Sequence, residues 1–321
     1  MNELGVMKNS AAFALMHRDA AENRIYNAYL IVSDDELAAD ILCSMFLADC
    51  VFGVVDRDSV AKVERTGADI IRLPHGEKFL TADAEELVDT VYYTPTELSR
   101  KYYVISHGET MNEPSQNKLL KVLEEPPTNV VIIIKCTRVK TLLPTVLSRV
   151  KRVDVAALSY DTVLEFLRSR YGEDNNIYLA AALGNGFLGR ADKAMNDPTL
   201  PRIYALAIDT LKNMKNSRMV LSFSVRIAVF KDNLSDFVDI LELIFGDCLL
   251  CAAGVRDRLK FKNGIKDIID ISAEYTAEVV VKLRPVLMRA KRRLELNGNP
   301  QSVLDELLFS ILEVKAKCRK L

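Results

Sequence analysis

In the first half of the chain, short runs made almost wholly of apolar residues alternate with segments of helical periodicity. A strand with one face in water alternates apolar and polar side chains. Uninterrupted apolar runs therefore mark strands buried on both faces, as in a parallel sheet covered by helices on either side. Strands are predicted at residues 28–32, 69–73, 102–105, 130–134 and 152–155. Between them, helices are predicted at 36–48, 82–92 and 115–125. In the last of these Ser115 is the expected cap, Leu119, Leu120, Val122 and Leu123 form the apolar face, and Pro126-Pro127 stops the helix.

From about residue 159 the strand-like runs disappear and helical spacing takes over, with Val163, Leu164, Leu167 and Tyr171 recurring on one face. A glycine-rich break, Gly184-Asn185-Gly186-Phe187-Leu188-Gly189, follows. Asp197-Pro198 and Leu200-Pro201 read as turns or linkers. The rest is amphipathic helix, interrupted at Asn263-Gly264 and at Asn297-Gly298-Asn299-Pro300. A chain of 321 residues exceeds the size at which one core keeps growing, so several domains are expected. The boundaries fall at 1–157 for an α/β domain, 158–203 for a small helical domain and 204–321 for a larger one.

With 49% hydrophobic and 27% charged residues the chain has the composition of a folded globular protein. The formal charge of −1 argues against strong autonomous nucleic-acid binding, although a balanced chain still holds local basic patches. No apolar run reaches the roughly 18 residues of a membrane-spanning helix. The N-terminus lacks the basic-then-apolar pattern of a secretory signal, and the six cysteines are scattered, so a reducing cytoplasm is the expected location.

The sharpest motif is Gln116-Asn117-Lys118-Leu119-Leu120-Lys121-Val122-Leu123-Glu124-Glu125-Pro126-Pro127, followed by Leu143-Pro144-Thr145-Val146-Leu147-Ser148-Arg149. In this order and spacing the two stretches resemble the N-x-LLK-x-LEEPP and LPT-x-x-SRC signatures of clamp-loader AAA+ subunits. The resemblance implies a RecA-like parallel sheet flanked by helices, followed by an all-α lid and an all-α collar. It also implies that Arg149 is an arginine finger, reaching the γ-phosphate of ATP held by an adjacent subunit, with Ser148 positioning it. Arginine suits that task, because a permanently charged planar fork can neutralise charge on a transferring phosphoryl group. Val150 stands where the motif has cysteine. Outside residues 100–190 the likeness is faint.

An ATPase of this fold also needs a glycine-rich loop after the first strand, G-x-x-x-x-G-K-[ST], to cradle phosphate. The chain has Ser33-Asp34-Asp35-Glu36 there, without glycine or lysine. Like charges at 4 Å repel by about 1 kcal/mol in water and about 4 kcal/mol near a protein surface, so these carboxylates oppose phosphate. Acids also suit the opening of a helix. At the end of the third strand, where the family has its metal-holding and water-orienting acids, stand Ser106-His107-Gly108-Glu109. His107 reads as solvated or structural rather than as a base. Neither cofactor nor metal is expected. The resemblance then points to a delta-prime-type subunit that does not hydrolyse ATP itself. Its implied partners are the motor (gamma/tau) and delta subunits, with the sliding clamp and primed DNA reached through the complex.

Arg190 and Thr137 lie near the family's sensor positions, but without a nucleotide they read as a turn into a helix and a strand end. A four-cysteine zinc module is not assembled from Cys50 alone. Cys248 and Cys251 lie in an apolar helical run and read as buried thiols. Arg284, Arg289, Lys291, Arg292 and Arg293 suit the last turns of a helix, a solvated face being the default and a DNA- or partner-facing one the alternative. Two rival functions stay open at this point: an active AAA+ ATPase with a divergent loop, and a degenerate AAA+ adaptor outside replication.

Overall fold

A computed structural model describes residues 3–319. The chain forms two compact units, one running to Arg170 and including Gly186–Gly189, the other comprising Tyr171–Asn185 and the chain from Arg190 onward. The expected boundary at 203/204 falls inside a helix, Leu200–Asn213. Leu200-Pro201 opens that helix rather than linking two elements. Proline fits the first turn because the backbone N–H it lacks would have no partner there.

The first unit is built on five strands, β1 (Ala28–Val32), β2 (Ile70–Leu73), β3 (Lys101–Ile105), β4 (Val130–Cys136) and β5 (Lys151–Asp154). All pair in parallel, in the order β2-β3-β4-β1-β5. The five predicted strands are present within two residues at each end. The most apolar ones, AYLIV and VVIIIKC, lie side by side at the centre, with Leu30 opposite Ile134 and Val32 opposite Cys136. Apolar faces on both sides of a strand demand cover on both sides, and helices provide it. The helices of this unit are α1 (Glu3–Lys8), α2 (Ala11–Ala21), α3 (Glu36–Phe52), α4 (Arg57–Arg65), α5 (Thr81–Thr90), α6 (Glu113–Glu124), α7 (Pro144–Leu147) and α8 (Tyr160–Tyr171). Leu87 of α5 and Leu119 and Val122 of α6 pack with Tyr103, Ile132 and Ile134 in one buried cluster.

α6 begins earlier than the sequence suggested. Asn112, not Ser115, is the cap: its side-chain oxygen accepts the Ser115 amide at 2.9 Å, and Pro114 occupies the first turn. Ser115 itself is buried. The loop that leads into β3 is organised by Asp69, the residue before β2, its buried carboxylate accepting the amides of Thr96, Glu97 and Leu98 at 2.6–3.0 Å. Burial alone would raise this carboxyl, but the three backbone donors hold it below the ordinary aspartate range.

The second unit is helical: α9 (Ile177–Gly184), α10 (Leu188–Met195, in this unit from Arg190), α11 (Leu200–Asn213), α12 (Ser217–Ala228), α13 (Leu234–Ala252), α14 (Ile265–Glu274), α15 (Ala277–Glu295) and α16 (Pro300–Arg319). α13 supplies Phe237, Ile240, Leu241, Ile244 and Phe245 to its core and is packed by α11, α14 and α15. Glu274 at the end of α14 joins the unit electrostatically. It accepts from Lys215 at 2.6 Å and from the buried Lys315 of α16, whose ammonium also lies over the Tyr275 ring. Among the described residues no single helix is long and apolar enough to cross a membrane.

Candidate functional site

In a parallel sheet of this order, the crevice at the carboxyl ends of the central strands is where ligands bind, because helix N-termini and backbone amides converge there. Here that crevice is a cleft of about 170 Å³ lined by Ser33, Glu36, Ala39, Asp40, Ser106, His107, Glu109, Lys135, Cys136 and Thr137. Small-molecule pockets run to roughly 300–1,000 Å³. Only Ser33, Asp34 and Asp35 connect β1 to α3, too few to wrap around a phosphate. The Asp35 side chain instead caps α3, accepting the Ala38 amide, and also takes the amides of Leu188 and Gly189. The positive end of α3 is thus occupied by a carboxylate of the protein itself.

The remaining cleft groups are likewise spent on each other. Glu36 lies 2.8 Å from His107 Nδ1, Glu109 accepts the Thr137 amide at 3.0 Å, and Lys135 pairs with Asp40. Ser106 and His107 stand where acids would hold metal and water. His107 has φ 53°, in the left-handed region, and Gly108 follows because a Cβ there would meet Ile134 at 2.8 Å and the Lys135 carbonyl at 3.0 Å. Carboxylates outnumber cations around the cleft, and nothing in it forms a phosphate cradle. The residues do not fit ATP-Mg²⁺.

The segment that carries Ser148 and Arg149 has the opposite character. α7 is a single turn, and after it Ser148 donates to the Thr145 carbonyl at 3.0 Å. Arg149 is exposed. Its Nη1 donates to the Thr145 carbonyl at 2.8 Å and to Ser148 Oγ at 3.0 Å, while Nη2 lies 2.6 Å from Glu124 Oε1. The two sequence motifs therefore meet in space: the glutamate ending α6 pairs with the arginine of the second motif. At the other end of α6, the buried Gln116 amide donates to the carbonyls of Met111 and Thr141, both at 3.0 Å, and accepts the Leu143 amide at 2.7 Å. Val150, in place of cysteine, packs half-buried against the core cluster.

Sequence reasoning singled out Arg149 and Ser148 and missed Glu124 and Gln116 as their supports. Both lie within the first motif, where their presence was the available signal. Thr137 lines the cleft, and its amide is taken by Glu109. Arg190 belongs to the helical unit, on the wall of a separate cleft with Asn185, Asp239 and Lys291. Cys248 is buried, and burial pushes its thiol up to about 12. Cys251 is partly exposed and also raised by burial. In the basic cluster of α15, Lys291 pairs with Asp239, and Arg289 and Arg293 with Glu306.

Residues 8–159 match the family described as "DNA polymerase III, delta subunit". The DNA polymerase III subunit delta′ of Bacillus subtilis is 24% identical over 75% of this chain and 74% of its own length. A DNA polymerase III gamma subunit of Buchnera aphidicola is 30% identical, over 36% of this chain and 32% of its own. The tau/gamma subunit of Haemophilus influenzae is 27% identical over 48% of this chain, which spans 24% of that relative. Among solved structures, a DNA polymerase III gamma subunit-related protein of Thermotoga maritima is 19% identical, with TM-score 0.44, covering 94% of this chain and 99% of that one. The parallel sheet, the two motifs and the match over 8–159 make the chain similar to DNA polymerase III clamp-loader subunits of delta′ or gamma/tau kind.

Proposed function

We propose that the chain is a delta′-like, non-hydrolysing subunit of the DNA polymerase III clamp loader that supplies Arg149 to the ATP site of a neighbouring motor subunit. One contrast carries the reading. The chain's own cleft is lined by Glu36 and Glu109 and the α3 N-terminus beside it is capped by Asp35, whereas Arg149 is exposed and held by Ser148 and Glu124. A guanidinium so presented offers N–H donors and a fixed charge to an incoming phosphate without needing a nucleotide of its own. Within the assembly, the sheet-bearing unit acts as the AAA+ core, the helices that follow it up to Met195 as a lid, and those from Leu200 onward as the collar that holds the ring. The sliding clamp and primed DNA are met as part of the complex, in the cytoplasm.

Co-purification tests the partnership. A tagged full-length chain mixed with the motor (gamma/tau) and delta subunits of its organism is expected to elute with both in one complex on size exclusion. Separate elution of all three would leave an adaptor outside replication as the better reading.

A further inference from the structure

α6 grips the finger segment at two places. Gln116, buried at its first turn, fixes Thr141 and Leu143 immediately ahead of α7 through two well-formed hydrogen bonds. Glu124, at its last turn, meets Arg149 itself. Of the guanidinium's two terminal nitrogens, Nη1 is turned inward to the Thr145 carbonyl and Ser148 Oγ, and Nη2 is aligned by the Glu124 carboxylate. Without Glu124 both remaining side-chain bonds converge on Nη1, and the fork is free to swing about that one anchor. An arginine that must meet a phosphate across a subunit boundary loses most by such freedom, because its rotamers would have to be ordered at the moment of encounter.

We infer that Glu124 is a positioning residue for Arg149, holding its guanidinium in the orientation used at the neighbouring ATP site. The inference rests on the donor reading given above. Glu124 touches no reacting group. As an exposed ion pair it contributes little to stability, so its value lies in geometry. A carboxylate is suited to this, since its two oxygens accept from a guanidinium in a defined plane, whereas an amide keeps one acceptor and loses the charge.

The test is a double-mutant cycle in the reconstituted loader, reading single-turnover ATP hydrolysis in the presence of clamp and primed DNA. Glu124→Ala is expected to slow hydrolysis at the served site roughly 10- to 100-fold. ATP affinity should not change, and Glu124→Asp should restore part of the rate. In the Arg149→Ala background Glu124→Ala is expected to add nothing, because two residues acting through one interaction are not additive. Wild-type turnover in Glu124→Ala beside slowed turnover in Arg149→Ala would overturn the inference alone. So would an equal effect of Glu124→Ala in both backgrounds, which would mark a structural role. Unchanged turnover in Arg149→Ala would remove the donor reading and this inference with it.

Discussion

Replacing Arg149 with alanine is expected to slow ATP hydrolysis at the motor site it faces on the order of 10³-fold, the lower end of what an arginine finger contributes. The loss should appear in kcat at that site, with ATP affinity nearly intact, because in the proposed role the guanidinium acts on charge that develops during phosphoryl transfer. Assembly should survive. Arg149 is exposed and bonded within its own loop and to Glu124, so its removal opens no cavity and strands no buried group. Steady-state turnover of the whole ring would fall by the share of that one site, which is why single-turnover measurement is the sharper assay. Arg149→Lys would keep the charge and lose the fork, and should recover only a small part of the rate.

The second large effect lies far from the site. Replacing Glu274 with alanine takes a partly exposed carboxylate away from a lysine, Lys315, that is only 3% exposed, and losing a hydrogen bond to a charged group of this kind is expected to cost about 1.5–3 kcal/mol. The effect depends on pH in a defined direction. Burial alone would raise the Glu274 carboxyl, but hydrogen bonds from Lys215 and Lys315 outweigh it and hold it down to about 2. A carboxyl depressed on folding contributes stability that is fully present above its ordinary value near 4.5 and is lost as pH falls toward 2. Urea unfolding of the helical unit should therefore show a wide gap between wild type and Glu274→Ala at pH 7. That gap should narrow progressively below about pH 4.5. A gap independent of pH would assign the loss to packing instead.

How much of this was legible in the sequence depends on the kind of contact. β1 and β4 announced themselves because a strand buried on both faces has no polar positions to confuse the pattern. α6 was found but misplaced at its start. Ser115 has the chemistry of a cap, yet Asn112 has it too, and Pro114 prefers the first turn, so three residues of propensity competed and the earlier cap prevailed. Leu200-Pro201 was read as a break although proline also opens helices. α4 went unread because its nine residues are largely polar, with only Ser59 and Val63 buried.

The site divides in the same way. Local chemistry was visible: the missing cradle between β1 and α3, the missing acids after β3, and the Ser148-Arg149 pair. Contacts made across the fold were not. Glu109 reaching the Thr137 amide spans 28 positions, and Gln116 reaching Leu143 spans 27, and no periodicity records a partner at such distances. Glu36 gave the sign of the cleft's charge, but only the fold shows that His107 meets it.

The central claim is that this AAA+ core has closed its own nucleotide site with protein groups and directs its arginine to a neighbour. Titration calorimetry of ATP-Mg²⁺ into the isolated full-length chain tests it most directly. The expected result is no saturable heat with nucleotide up to about 1 mM, a concentration at which a Kd corresponding to −4.1 kcal/mol would still be seen. Saturable binding in the micromolar range, together with phosphate release by the isolated chain, would contradict it.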